Sequence, residues 1–234
     1  MANSGVAGNV VLVHGAYADG SSWSDVIPRL QGAGVSVMSV QNSLVSLADD
    51  VAATRRALDL QNAPTVLVGH SWAGTVITEA GDHPNVSALV YVAARAPEAG
   101  EDYGALAAEY PAPPASARLS FVDGFGQLDE GSFIKHFANG VETERARVLY
   151  AVQGRISQTL FASRTTVTAW RDHPCWYAVS RNDGTTSPAL ERFLAARMDA
   201  VTIELDSGHL SIVTHPDEIA ALILEAVTTT SIKE

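Results

Sequence analysis

"VLVGHSWAGT", residues 66–75, runs apolar into Gly69, then sets His70, Ser71 and Trp72 ahead of two small residues, Ala73 and Gly74. A buried strand that stops at a serine and passes at once into a helix is a sharp turn. Such a turn lifts a hydroxyl above the edge of a sheet, provided small neighbours keep strand and helix clear of it. Gly69 fills the first small position of the pattern G-x-S-x-G; the second holds Ala73, with Gly74 one residue later. Ser71 therefore reads either as a nucleophile or as a plain helix cap, and the rest of the chain has to choose.

Around this turn, short β-branched runs recur at 9–15, 35–40, 65–69, 87–94, 175–180 and 200–205. They are continuous rather than alternating, as expected of strands covered on both faces. Helix patterns lie between them. Residues 46–60 open with Ser46 at the N-cap and Asp49 and Asp50 in the first turn, where they complement the helix dipole. Residues 187–197 place Ser at the N-cap, Pro at the next position and Glu191 in the capping region; 216–227 again begin with Pro and acids. Residues 21–34 read as a helix broken by Pro28, so a short first turn followed by a helix starting near Pro28 is expected in preference to a kink. Strand–helix alternation of this kind specifies an α/β fold, a mostly parallel sheet of about six strands with helices on both faces.

The alternation stops between 97 and 173. This stretch holds "PAPPA" (111–115), helical patterns at 129–141 and 142–154, no convincing strand, and five of the chain's six Phe. It reads as a helical cap inserted into one core domain, made of residues 1–96 and 174–234. Most of its aromatics are expected to pack the cap on the sheet, and the cap itself to cover an apolar substrate and exclude water.

Composition narrows the function. With 15 basic against 26 acidic residues the formal charge is −11, the wrong sign for a phosphate backbone, so no nucleic acid is expected. The negative field weakly favours neutral or cationic small molecules. No run reaches the roughly 18 to 20 apolar residues of a membrane span, and "MANSGVAG" at the start has neither the charge nor the apolar run of a leader. A soluble, cytoplasmic protein is the expectation, with a homodimer one admissible assembly. Cys175, alone in the chain, reads as a buried structural thiol.

A serine needs a base to take its proton, and the base needs a third group to fix its tautomer. Among seven histidines, His209 follows the last strand by a short loop and precedes the last helix, which puts it at the sheet edge where Ser71 stands. For the acid, Asp183 lies beyond the strand 175–180 and gives the chain order Ser…Asp…His. Asp206, three residues before His209, is the rival; on the same loop, it is poorly placed to reach the far imidazole nitrogen. Oxyanion donors are expected from the backbone N–H of Trp72 and of Ala16 after Gly15, with Tyr17 and Trp72 walling the substrate pocket. A phosphate loop fails, because G-x-x-x-x-G at Gly15 and Gly20 is followed by Ser21 instead of Lys.

"VVLVHGAYADGSSW" (10–23), "VGHSWAG" (68–74) and "DSGHLSIVTHPDEIA" (206–220) together resemble the α/β-hydrolase superfamily, and within it small bacterial hydrolases related to plant methylesterases and hydroxynitrile lyases. The resemblance implies an α/β-hydrolase fold, a Ser71–His209–Asp183 triad, oxyanion amides at Ala16 and Trp72, and no metal or organic cofactor. Dehalogenases and epoxide hydrolases of this fold use Asp as nucleophile, where this chain has Ser71. Hydroxynitrile lyases typically carry Thr where it has Gly15 and Lys where it has Leu210. The expected activity is hydrolysis of a small, largely apolar carboxylic ester through an acyl-enzyme. Perhydrolysis, carbon–carbon hydrolysis, cyanohydrin cleavage on the same triad, and a non-catalytic ligand-binding relative remain the alternatives.

Overall fold

A computed structural model describes residues 8–62, 64–117 and 119–231. In chain order it forms β1 (Asn9–Val13), α1 (Ile27–Gly32), β2 (Ser36–Val40), α2 (Leu47–Asp59), β3 (Thr65–His70), α3 (Ala73–Ala80) and β4 (Val86–Val92). There follow α4 (Tyr103–Ala107), β5 (Leu119–Val122), β6 (Phe125–Leu128), α5 (Glu130–Ser132), α6 (Thr143–Ala151) and β7 (Ile156–Ser157). The chain closes with β8 (Cys175–Ser180), α7 (Pro188–Arg197), β9 (Val201–Leu205), α8 (Ser211–Thr214) and α9 (Pro216–Ser231).

The six expected core strands form one parallel sheet in the order β2-β1-β3-β4-β8-β9. The continuous apolar runs of β1, β3, β4 and β8 are explained by burial on both faces. The edge strands β2 and β9 are largely part-exposed or exposed, contrary to the expectation that every strand is covered. Val10, Leu12, Val66, Val68 and Val90 face Leu30 of α1 and Ile219 and Ile223 of α9. Their neighbours Val11, Val13, Leu67, Leu89 and Tyr91 face Leu58 of α2 and Val76 and Ile77 of α3. Each such side chain, fully withdrawn from water, contributes about 1.5–3 kcal/mol before entropy is counted. The Ser46 hydroxyl accepts from the Asp49 amide at 3.1 Å and starts α2 as expected. Residues 20–23 make a 3-10 turn before α1, which begins one residue ahead of Pro28.

β1 lies between β2 and β3, so the connection leaving β1 goes one way and the chain returns on the other side. That switch opens a crevice at the carboxyl ends of β1 and β3, bringing the loop after β1 beside Ser71. The segment between β4 and β8 differs from its sequence expectation in one respect. It holds short helices, but β5, β6 and β7 form a three-stranded antiparallel sheet. The strands are four, four and two residues long and turn at Asp123 and Gly124, both at positive φ; a hairpin this short gives too few residues for its alternation to be read. Phe133, Phe137, Leu149 and Leu160 of this segment join the core on the α3 face of the sheet. Among the described residues no helix is long and apolar enough to cross a membrane.

Candidate active site

Ser71 sits between β3 and α3 with φ of +57°, a conformation a side chain-bearing residue holds only where its surroundings over-determine it. They do. The Ser71 amide donates to the Val92 carbonyl at 3.1 Å, and the Ser71 carbonyl accepts from the amides of Gly74 at 3.0 Å and Arg95 at 3.1 Å. A Cβ on Gly69 would lie 2.8 Å from the Ala73 carbonyl oxygen, and one on Gly74 would overlap the Arg95 carbonyl. Ala73 is fully buried. The missing glycine of the motif is thus supplied one position later, where the close approach occurs.

Asp183, after β8, and His209, between β9 and α8, meet Ser71 at the same sheet edge. His209 Nδ1 lies 2.5 Å from Asp183 Oδ2, and His209 Nε2 lies 2.8 Å from Ser71 Oγ. An ionised carboxylate only accepts, so Nδ1 carries the proton and Nε2 is free to accept the Ser71 hydroxyl. Asp183 Oδ1 takes the amides of Thr185 and Thr186 at 2.6 and 2.8 Å. Burial pushes the Asp183 carboxyl up, but the His209 charge and these hydrogen bonds outweigh it and hold it below the ordinary carboxylate range. Asp206 is exposed and accepts from Asn182 Nδ2 at 2.7 Å, away from the imidazole.

The other buried histidines are fixed and neutral. His14 Nδ1 donates to the Gly15 carbonyl while Nε2 accepts the Asn42 amide, each at 2.9 Å. His70 Nε2 donates to the His209 carbonyl at 3.0 Å; burial first, then the His209 charge, push its pKa down to about 3. A Cβ on Gly15 would stand 2.8 Å from Ser71 Cβ, so glycine lets the β1 loop come this close. Ala16 and Trp72 line the same cavity as Ser71, and their amides donate to no described acceptor. Tyr17, at φ of +59°, and Trp72 also line it, the Trp72 indole N–H donating to Asp50 at 3.0 Å. The cavity measures about 290 Å³. Its walls are mostly apolar, with Leu119, Leu128 and Phe161 from the inserted segment and Leu190 from α7.

Three participants were missed. Glu191, read as a capping acid, is fully buried on α7, and its Oε2 accepts the Ser180 amide at 2.9 Å. Burial and the Asp183 charge push it well above the ordinary carboxylate range. Its Oε1 has no hydrogen-bond partner among the described residues. Asn139, in the inserted segment, donates to the Asn182 carbonyl at 2.7 Å and lies 3.4 Å from the His209 amide, tying the acid loop to the histidine loop. Arg95 points into the cavity. Only Arg95 left a local trace, a cation in the apolar run "VAARAP". Cys175 is buried, its thiol pushed up by burial to about 12. Among the described residues no group of three His, Cys, Asp or Glu is placed to hold a metal ion.

The family model described as "Alpha/beta hydrolase family" matches residues 10–222. The chain belongs to that family. Among named relatives it is 33% identical over 133 residues to a carbendazim-hydrolysing esterase of Nocardioides sp. (strain SG-4G), an alignment spanning 50% of this chain and 53% of that esterase. The fold is similar to that of a pyrethroid hydrolase from Sphingobium faniae JZ-2, at a TM-score of 0.77 and 18% identity over 96% of this chain and 99% of the other. It is likewise similar to an Arabidopsis methylesterase, at 0.77 and 18% over 95% and 99%. The fold is thus shared with a structure of the plant methylesterase kind that the sequence motifs resemble.

Proposed function

We propose that this chain is a carboxylic ester hydrolase working through an acyl-enzyme on Ser71. The observation that carries the reading is the unbroken line Ser71 Oγ, His209 Nε2, His209 Nδ1, Asp183 Oδ2, with steps of 2.8 and 2.5 Å, whose Ser71 end lines a mostly apolar cavity. Ser71 attacks the ester carbonyl as His209 takes its proton. Asp183 holds the imidazole in the required tautomer and stabilises the imidazolium. The amides of Ala16 and Trp72 receive the oxyanion, already oriented and without reorganisation. His209 passes the proton to the departing alkoxide, and water, activated by the same base, frees the acid. The names of the esterase and hydrolase relatives support this chemistry, and the substrate is a small organic ester fitting the cavity. A buried Leu210 directly after His209 supplies no cation for cyanide and does not favour cyanohydrin cleavage.

The test is hydrolysis of p-nitrophenyl acetate, butyrate and octanoate at pH 7.5 by wild type and Ser71→Ala, with a fluorophosphonate probe on both. Turnover and labelling that vanish together in the variant are expected. Wild-type protein that neither turns over nor labels would overturn the reading.

A further inference from the structure

Arg95 holds the Ser71 carbonyl through its backbone, and its side chain turns into the cavity above Ser71. Its Cζ lies 4.2 Å from the centre of the Phe161 ring, 4.7 Å from Tyr103 and 5.5 Å from Trp72. Among the described residues the guanidinium has no hydrogen bond and no carboxylate partner. The neighbouring arginines are different: Arg164 pairs with Asp102, Arg171 with Glu98 and Arg197 with Glu101. The acids around the pocket are already engaged; burial lowers the pKa of Arg95, and a guanidinium stays protonated in proteins. Two further polar atoms at the cavity are buried without partners, the hydroxyls of Tyr103 and Thr185.

A guanidinium has five N–H donors, and aromatic faces offset only part of the cost of withdrawing it from water. A site that keeps such a group unpaired in front of its nucleophile is built for an anion that arrives with the substrate. We propose that Arg95 and the Tyr103 hydroxyl form a subsite for an ionised carboxylate, so that the preferred ester carries one acid group, as a half-ester of a dicarboxylic acid does. This rests on the esterase reading and narrows it. Arg95 is the one cation among the described lining residues, which matches a monoanion, forked against the guanidinium; a phosphate dianion would stay half neutralised. The net charge of −11 does not decide the matter, because exposed acids beyond the Debye length of about 8 Å are largely screened.

The experiment compares pairs of equal chain length by pH-stat: monomethyl glutarate against methyl pentanoate, and monomethyl adipate against methyl hexanoate, for wild type, Arg95→Met and Arg95→Lys. Wild type is expected to favour the acid member by at least about tenfold in kcat/KM. Arg95→Met is expected to cut that preference roughly tenfold to a thousandfold, chiefly through KM, and Arg95→Lys to restore part of it. In calorimetry Ser71→Ala should bind monomethyl glutarate, and the Ser71→Ala/Arg95→Met double variant should not. Equal kcat/KM within each wild-type pair, or a preference that survives Arg95→Met, would overturn the subsite. Should Arg95→Met fail to fold, the wild-type pairs and the Ser71→Ala titration decide alone. Loss of p-nitrophenyl butyrate turnover and of fluorophosphonate labelling in wild type would sink the esterase reading instead, and the titration would still read the carboxylate site.

Discussion

Gly74 and Arg95 are packed backbone against backbone: a methyl group on Gly74 would overlap the Arg95 carbonyl, while Ala73 carries its methyl in the core with no such conflict. The close approach lets the Arg95 amide reach the Ser71 carbonyl. The two positions after Trp72 should therefore respond in opposite ways. Gly74→Ala is expected to cost about 1–3 kcal/mol or more through overpacking and to lower kcat by displacing the turn. Ala73→Gly should cost only about 1 kcal/mol. Urea denaturation with parallel ester assays checks both, and a stable, active Gly74→Ala would refute the packing argument.

Asp183 and Asp206 separate by geometry. Asp183→Asn is expected to lower kcat by about 10⁴-fold, since the amide no longer enforces the Nδ1–H tautomer. Asp206→Asn alters an exposed side chain whose one hydrogen bond among the described residues is to Asn182 and should stay within about threefold, with stability changed by less than about 0.5 kcal/mol. Burst kinetics on p-nitrophenyl acetate would show which acid serves His209.

Glu191 sets a pH dependence. Its pKa is raised by burial and the Asp183 charge, so the folded state holds a proton that the unfolded chain releases above its ordinary value of 4.5. Within that window stability falls as pH rises, by up to about 1.4 kcal/mol per pH unit. Glu191→Gln keeps an acceptor for the Ser180 amide but has no proton to lose. Its midpoint in urea, relative to wild type, should therefore climb from pH 5 to 8. Parallel curves would show that Glu191 is ionised in the fold.

In acid, two groups act together. Asp183 has a depressed pKa, so its contribution is present above the unfolded carboxylate value and lost as pH falls through the folded one. His70 is held neutral down to about 3, so the unfolded chain gains a proton below about 6.5 that the fold refuses. Both lower stability as pH drops. His70→Gln, unable to titrate, should flatten the part of the thermal-melt profile between about pH 6.5 and pH 4.

Gly15→Thr is expected to lose ester hydrolysis by at least about tenfold, because a 1 Å misplacement in a site can cost about a hundredfold. Its Cβ would press on Ser71 Cβ at 2.8 Å and the His70 carbonyl at 2.9 Å. Turnover at the wild-type rate would mean the β1 loop yields freely.

The sequence by itself determined the core sheet, the helices between its strands and the residues that meet at its edge. Those are local properties: β-branched runs, capping residues and the turn at Ser71 are written in consecutive positions, and parallel topology sends every strand end to one edge. It did not reveal β5–β7, whose strands are too short to show a period. Nor did it reveal Glu191 turned inward near Asp183, because the path of the loop into α7 is not written in its spacing, or Asn139 bridging two loops, because partners far apart in the chain leave no spacing to read. Tertiary structure brings Asp183, which chain order already favoured over Asp206, to His209 Nδ1 by the chain's path from β8. It alone decided that Gly74, and not position 73, must lack a side chain, since Arg95 arrives there from the end of another strand. And it alone left Arg95 without an acid partner among the described residues, beside the cavity that Ser71 lines, because which arginine finds an acid depends on what the fold sets around it.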